Sequence, residues 1–205
     1  MSDARIVLAT ANAHKVGEVE AILSDALGQS CAGLIAPLSD FTSESPIEDG
    51  ATFAENAVIK ARAAAAASGL PALADDSGLS VEIMGGAPGI FSARWCGRHG
   101  DDAANLDLLL AQMADVPTAL RRAAFVCAAA LVWPDGREVV EVARMEGTLL
   151  QERRGTGGFG YDPIFLADGQ DVSNAELSPE AKNAISHRGQ AMRAIAGHIG
   201  ELLRG

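Results

Sequence analysis

Ala123-Ala124-Phe125-Val126-Cys127-Ala128-Ala129-Ala130-Leu131-Val132-Trp133, followed by Pro134-Asp135-Gly136 and then Glu138-Val139-Val140-Glu141-Val142-Ala143, is the stretch on which the fold class turns. A long apolar run, a trio of turn residues and a second extended run make an antiparallel hairpin. Upstream, Leu106, Leu109, Leu110 and Met113 recur at helical spacing. Before them Ala72-Leu73-Ala74 reads as a buried strand that ends in Asp75-Asp76-Ser77-Gly78, with an extended pattern resuming over residues 79–83. Downstream, Met192, Ile195, Ala196, Ile199 and Leu202 mark the inner face of a last helix. Strands and helices interleave, yet the hairpin breaks any purely parallel order, so the expected class is mixed α/β.

The element ends carry their own signals. Ile6-Val7-Leu8-Ala9, Thr10-Ala11-Asn12 and then Val19, Ile22, Leu23 and Ala26 read as strand, loop and helix. A second helix starts at Thr52, which with Glu55 has capping-box spacing, and runs through an alanine-rich stretch to Gly69. Gly155, Gly157, Gly158 and Gly160 make residues 155–163 a shaped loop rather than a regular element. Ser178-Pro179-Glu180 starts another helix with a cap residue and a first-turn proline.

The 205 residues are 48% hydrophobic, enough for one large domain or two closely packed lobes. The longest apolar stretch is too short to cross a bilayer, and Asp3 and Arg5 interrupt the start where a signal peptide needs an apolar core. Cys31, Cys96 and Cys127 form neither an even set nor a C-x-x-C pair, which favours a reducing, cytoplasmic setting without a cysteine-held metal. A net charge of -11 repels a nucleic acid duplex but not a small polyanion met by a few gathered cations. Lys15, Lys60 and Lys182 are the only lysines among mostly arginine cations, and a compact ammonium does what a planar guanidinium does not.

Thr10-x-Asn12-x-x-Lys15, between strand and helix, offers backbone N–H groups, two polar side chains and a cation to a phosphate, although Thr10 and Asn12 equally suit plain helix capping. No Walker loop is present in the sequence. Asp75 and Asp76, with Glu48 as a third carboxylate, could hold Mg²⁺, or could be an ordinary acidic turn. Phe159 and Tyr161 stand among glycines, either as rings that stack on a base or as core anchors of the loop. His187 and Arg188 could donate to a purine 6-oxo group, or merely cap a helix and make a surface ion pair.

Taken together, these blocks resemble the inosine triphosphate pyrophosphatase family, known in bacteria as dITP/XTP pyrophosphatases. The matching text is Leu8-Ala9-Thr10-Ala11-Asn12-x-x-Lys15, residues 48–56 through Lys60-Ala61-Arg62, residues 74–79, 85–94 and 155–165, Ala175-Glu176-Leu177, and Ser186-His187-Arg188-Gly189-Gln190. The resemblance implies a two-lobed α/β fold with a long mixed sheet flanked by helices, a nucleotide cleft between the lobes, and a homodimer. It implies Mg²⁺-dependent hydrolysis of noncanonical purine nucleoside triphosphates (ITP, dITP, XTP) to monophosphate and pyrophosphate. By the same resemblance Thr10, Ala11, Asn12, Ala13, His14 and Lys15 grip the triphosphate and Lys60 assists catalysis. Glu48 and Asp76 are associated with the metal, with Asp75 beside them, and Asp76 is also the general base. Ser77, Phe159, Gly160, Tyr161, Asp162, Lys182, His187 and Arg188 contact the rest of the nucleotide. Two departures stand out: Ala11 where glycine is frequent, and Ile47 where some relatives carry a second acid.

Overall fold

The computed structural model describes residues 4–10 and 13–204, with residues 13–15 described by backbone alone. The strands are β1 (Ile6–Leu8), β2 (Ile35–Pro37), β3 (Ala72–Val81), β4 (Arg122–Val132), β5 (Glu138–Leu149) and β6 (Phe165–Ala167). The helices are α1 (Ala13–Leu27), α2 (Phe53–Ser68), α3 (Asp102–Gln112), α4 (Pro179–Ile185) and α5 (His187–Arg204). All six strands form one sheet in the order β2-β1-β3-β4-β5-β6. β1 pairs in parallel with β2 and β3, while β5 pairs antiparallel with β6, so the sheet is mixed as expected. The hairpin turn between β4 and β5 is closed by Trp133 N donating to Arg137 O and by Gly136 N donating to Trp133 O.

The chain divides into two compact units. Unit 1 comprises Met1–Asp76, Cys127–Ala143 and Arg188–Gly205, and unit 2 comprises Ser77–Val126 and Arg144–His187. In unit 1 the sheet is covered on both faces, and strand alternation sorts the side chains between them. Ile6, Leu8, Leu73, Cys127, Ala129 and Leu131 pack against Val19 and Leu23 of α1 and Ile195 and Ile199 of α5. Val7, Ala72, Ala74, Ala128 and Ala130 meet Ala57, Ala61, Ala64 and Ala65 of α2. Small residues on both sides of that second layer bring the α2 backbone close to the strands, so the polar residues flanking the alanine stripe lie near the sheet.

The α2 cap is half as predicted. Thr52 accepts from Glu55 N at 3.1 Å, but the Glu55 carboxylate reaches one residue further back, to Ala51 N at 2.6 Å. At the other end Gly69 takes a left-handed conformation (φ 70°) and donates to Ala65 O, the stop its position predicts.

Unit 2 has its own core, in which Leu79 and Val81 of β3, Leu106, Leu109 and Met113 of or beside α3, and Phe125, Met145, Leu149 and Phe165 pack together. Arg121 is buried among them, although an arginine in sequence reads as surface. Its guanidinium donates to Leu149 O (2.9 Å), Met113 O (2.6 Å), Val116 O (3.4 Å) and Leu150 O (2.8 Å). It thereby gives hydrogen-bond donors to carbonyls at the end of α3 and of β5. Burial pulls its pKa down.

One sequence expectation is corrected. β3 does not end at Asp75-Asp76-Ser77-Gly78 but runs through them to Val81. The turn-like residues are accommodated because Ser92 Oγ accepts from Leu79 N at 2.9 Å, and because any Cβ on Gly78 would stand 2.5 Å from that same Oγ. Only glycine fits where the two segments approach so closely. No helix among the described residues is long and apolar enough to cross a membrane.

Candidate active site

Because β3 is continuous, successive aspartates point to opposite faces of the sheet. Asp76 shares the side of Ala72 and Ala74 and meets α2, where Asn56 and Lys60 are one helical turn apart on the same stripe. Lys60 Nζ lies 3.0 Å from Asp76 Oδ1 and 3.5 Å from Glu48 Oε1, so two carboxylates share one ammonium. Asn56 fastens the arrangement: its Oδ1 accepts from Gly50 N at 2.9 Å, and its Nδ2 donates to Asp76 Oδ2 at 3.3 Å. The segment carrying Glu48 is thus tied to the strand carrying Asp76. Burial raises the pKa of Asp76, and the pull of Lys60 and Asn56 offsets this only in part.

Asp75 takes the other side. Arg188, the second residue of α5, donates to its Oδ2 from Nε at 3.0 Å, and Arg188 Nη2 stands 2.9 Å from the same oxygen. Attraction to Asp75 holds the guanidinium pKa above its ordinary value against the cost of burial. Asp75 also borders a hollow in unit 1 lined by Ala9, Thr10, Ser39, Ser43, Glu48 and Lys60. Ala11 and Asn12 lie outside the described residues, as do the side chains of Ala13, His14 and Lys15.

Magnesium has to be judged on the donors present. Glu48 and Asp76 supply hard oxygens, outnumber the single ammonium between them, and leave Glu48 partly open to solvent. Mg²⁺ commonly binds through one or two carboxylates plus substrate phosphates, so this pair fits it. Asp75, committed to Arg188, fits it less well.

Unit 2 contains a second pocket, lined by Ser77, Gly78, Ser92, Asp102, Phe125, Phe159, Gly160, Tyr161, Asp162, Lys182 and His187. The glycine-rich loop is built around Asp162, which is only 2% exposed. Asp162 Oδ2 accepts from Phe159 N at 2.8 Å and from Lys182 Nζ at 2.5 Å, while Oδ1 accepts from Asn174 Nδ2 at 3.3 Å. Gly158 has φ 69°, and a Cβ there would collide with Asp162 Oδ2, so the tight loop around the carboxylate excludes a side chain.

The two aromatic residues divide the alternatives left open by the sequence. Phe159 is 65% exposed and Lys182 Nζ lies 4.5 Å from its ring centre. Tyr161 is 4% exposed, and its hydroxyl donates to Ser92 O at 2.9 Å. Phe159 is therefore the ring available for stacking, and Tyr161 anchors the loop from below. His187, the first residue of α5, stacks on Phe125 with ring centres 5.0 Å apart and planes at 11°.

The residues meet in two groups whose members are brought together from distant parts of the chain. A family model described as the Ham1 family matches residues 6–198. The chain belongs to the Ham1 family. Among its relatives, the dITP/XTP pyrophosphatase of Streptomyces avermitilis is 55% identical over 203 residues, covering 97% of this chain and 98% of that protein. That of Streptomyces coelicolor is 56% identical over the same length and coverage. Solved Ham1 relatives include a HAM1 protein from Coxiella burnetii, 40% identical with a TM-score of 0.87, covering 97% of this chain and 99% of that one. A nucleoside-triphosphatase / dITP/XTP pyrophosphatase from Mycobacterium abscessus is 46% identical with a TM-score of 0.79, covering 93% and 97%.

Three residues of this Ham1 chain escaped the sequence reading. Asn56 gave no sign of its role beyond its place in a matching block. Asn174 supports Asp162 from 12 residues away. Asp102, at the first turn of α3, accepts from Gly160 N at 2.9 Å across 58 residues and braces the glycine loop. An acid at a helix start reads as a favourable dipole partner, and nothing local distinguishes a second duty.

Proposed function

We propose that this chain hydrolyses noncanonical purine nucleoside triphosphates, of the ITP, dITP and XTP type, to the monophosphate and pyrophosphate. The observation that carries it is the Lys60 ammonium shared by Glu48 and Asp76, followed directly in the chain by Ser77, which lines the aromatic pocket of unit 2. Asp76, one of the acids at the ammonium, and Ser77, which lines the ring pocket, are thus neighbouring residues of one strand. The names of the relatives in the two Streptomyces species support the same substrate class.

In this reading Glu48 and Asp76 hold Mg²⁺, which when bound neutralises charge on the phosphates. Lys60 orients the carboxylate of Asp76 and offers an ammonium to a phosphate oxygen. Asp76 accepts the proton of the attacking water, its carboxylate held in place by Lys60 and Asn56. Phe159 stacks on the base. Lys182 has three N–H donors, of which Asp162 takes one, and presents positive charge towards a 6-oxo group. Adenine would set its 6-amino donor against these donors, at a cost of roughly 1 to 3 kcal/mol. The same reading carries a homodimer and a cytoplasmic setting, to which the free, buried thiols of Cys31 and Cys127 are suited.

A substrate panel tests the selectivity. At saturating Mg²⁺, kcat/KM for ITP, XTP and dITP should exceed that for ATP by about 10- to 100-fold. Equal values for ITP and ATP would overturn the assignment of the unit 2 pocket to base recognition.

A further inference from the structure

We infer that Asp75 is a positioning residue for base recognition and not a ligand of the metal. The inference rests on the proposed reading of the unit 2 pocket as the base site and adds to it a residue outside that pocket.

Asp75 and Asp76 are neighbours in sequence but serve different partners. Asp76 faces α2 and converges with Glu48 on Lys60. Asp75 is bridged to α5, its Oδ2 engaged by both Nε and Nη2 of Arg188. Both side chains are largely buried, at 19% and 13% exposure, so the pair is not a loose surface contact whose partners exchange with water. A planar guanidinium held at two nitrogens has its direction fixed, and a side chain fixed at the second residue of a helix fixes the first turn. The residue before it is His187, which lines the base pocket and stacks flat on Phe125. Phe125 also packs against Phe165 in the unit 2 core, with ring centres 4.7 Å apart. The start of α5 is therefore set at one residue by the Asp75 carboxylate and at the preceding one by an aromatic ring. Loosening the first releases one of these two adjoining anchors and lets the His187 ring shift within the base pocket.

The test uses the full chain and three variants, Asp75→Asn, Asp75→Glu and Arg188→Met, each checked for folding by near-ultraviolet circular dichroism. IMP affinity is measured by calorimetry without metal, and Mg²⁺ affinity by titrating the metal alone against melting temperature. Asp75→Asn, which removes the charge from the bridge, should weaken IMP binding about tenfold. Asp75→Glu should recover part of it, and combining Asp75→Asn with Arg188→Met should cost no more than Arg188→Met alone. The Mg²⁺ midpoint should stay within about twofold of the parent in Asp75→Asn. A Mg²⁺ midpoint raised tenfold with IMP affinity retained would make Asp75 a metal ligand and overturn the inference. So would IMP affinity unchanged in both Asp75→Asn and Arg188→Met. Failure of the proposed reaction is seen separately, as a parent protein that binds IMP but releases no pyrophosphate from ITP.

Discussion

Asp76→Asn lowers turnover of ITP by about 10³-fold and leaves the protein at least as heat-stable as the parent at neutral pH. The first effect follows from removing the proton acceptor and one of the two carboxylates at Lys60. The second follows from the raised pKa of Asp76, where burial outweighs the attraction of Lys60. A carboxyl whose folded pKa lies above its unfolded value contributes stability below the unfolded pKa, near 4, and loses it as pH rises through the folded one. At pH 7.5 the ionised group is therefore a net burden on the fold, and asparagine removes it while still accepting from Lys60. Melting curves of metal-free parent and variant should show the variant equal or higher at pH 7.5, with the gap closing towards pH 4. A variant that melts well below the parent at pH 7.5 would show that the ion pair, and not burial, dominates at this residue. Stability given up for activity in this way is a common feature of active sites.

Asp162→Ala weakens IMP binding by at least tenfold and destabilises the protein by about 3 kcal/mol. The carboxylate is the one acceptor on which Phe159 N, Lys182 and Asn174 converge. Its loss leaves the Lys182 ammonium, 15% exposed at the side chain, without its carboxylate, and an uncompensated buried charge costs far more than the pair contributes. The loop that presents Phe159 loses its internal anchor at the same time. Asp162→Asn keeps an acceptor for Phe159 N and should fall between parent and alanine variant in both measurements. Denaturant unfolding and IMP titration check the pair of effects, and unchanged IMP affinity in Asp162→Ala would separate the glycine loop from base binding.

Much of the fold was legible because it rests on local signals. The β4–β5 hairpin follows from an apolar run, a Pro-Asp-Gly turn and a second extended run, and α2 from Thr52 at its start and Gly69 at its end. What escaped depends on partners distant in sequence. Ser77 and Gly78 look like a turn, and β3 passes through them only because Ser92, 13 residues on from Leu79, holds that residue's N–H. From that one continuity the separation of Asp75 and Asp76 follows, and with it their different partners. The two loop aromatics are indistinguishable by type and spacing, and only the folded chain shows Tyr161 in the unit 2 core, its hydroxyl on Ser92 O, with Phe159 left outside. Arg121 is hidden for the same reason, since the carbonyls it satisfies come from both α3's end and β5's end. The scarcity of Lys60 and Lys182 and their matching blocks marked them as special ammoniums, but the aspartate partner of each became visible only in the folded chain.

The most direct measurement is identification of the products when purified protein meets ITP and Mg²⁺. Phosphate-resolved nuclear magnetic resonance or anion-exchange chromatography distinguishes the outcomes. IMP and pyrophosphate should appear in equal amounts from the first turnover. IDP and orthophosphate would contradict the account at its centre.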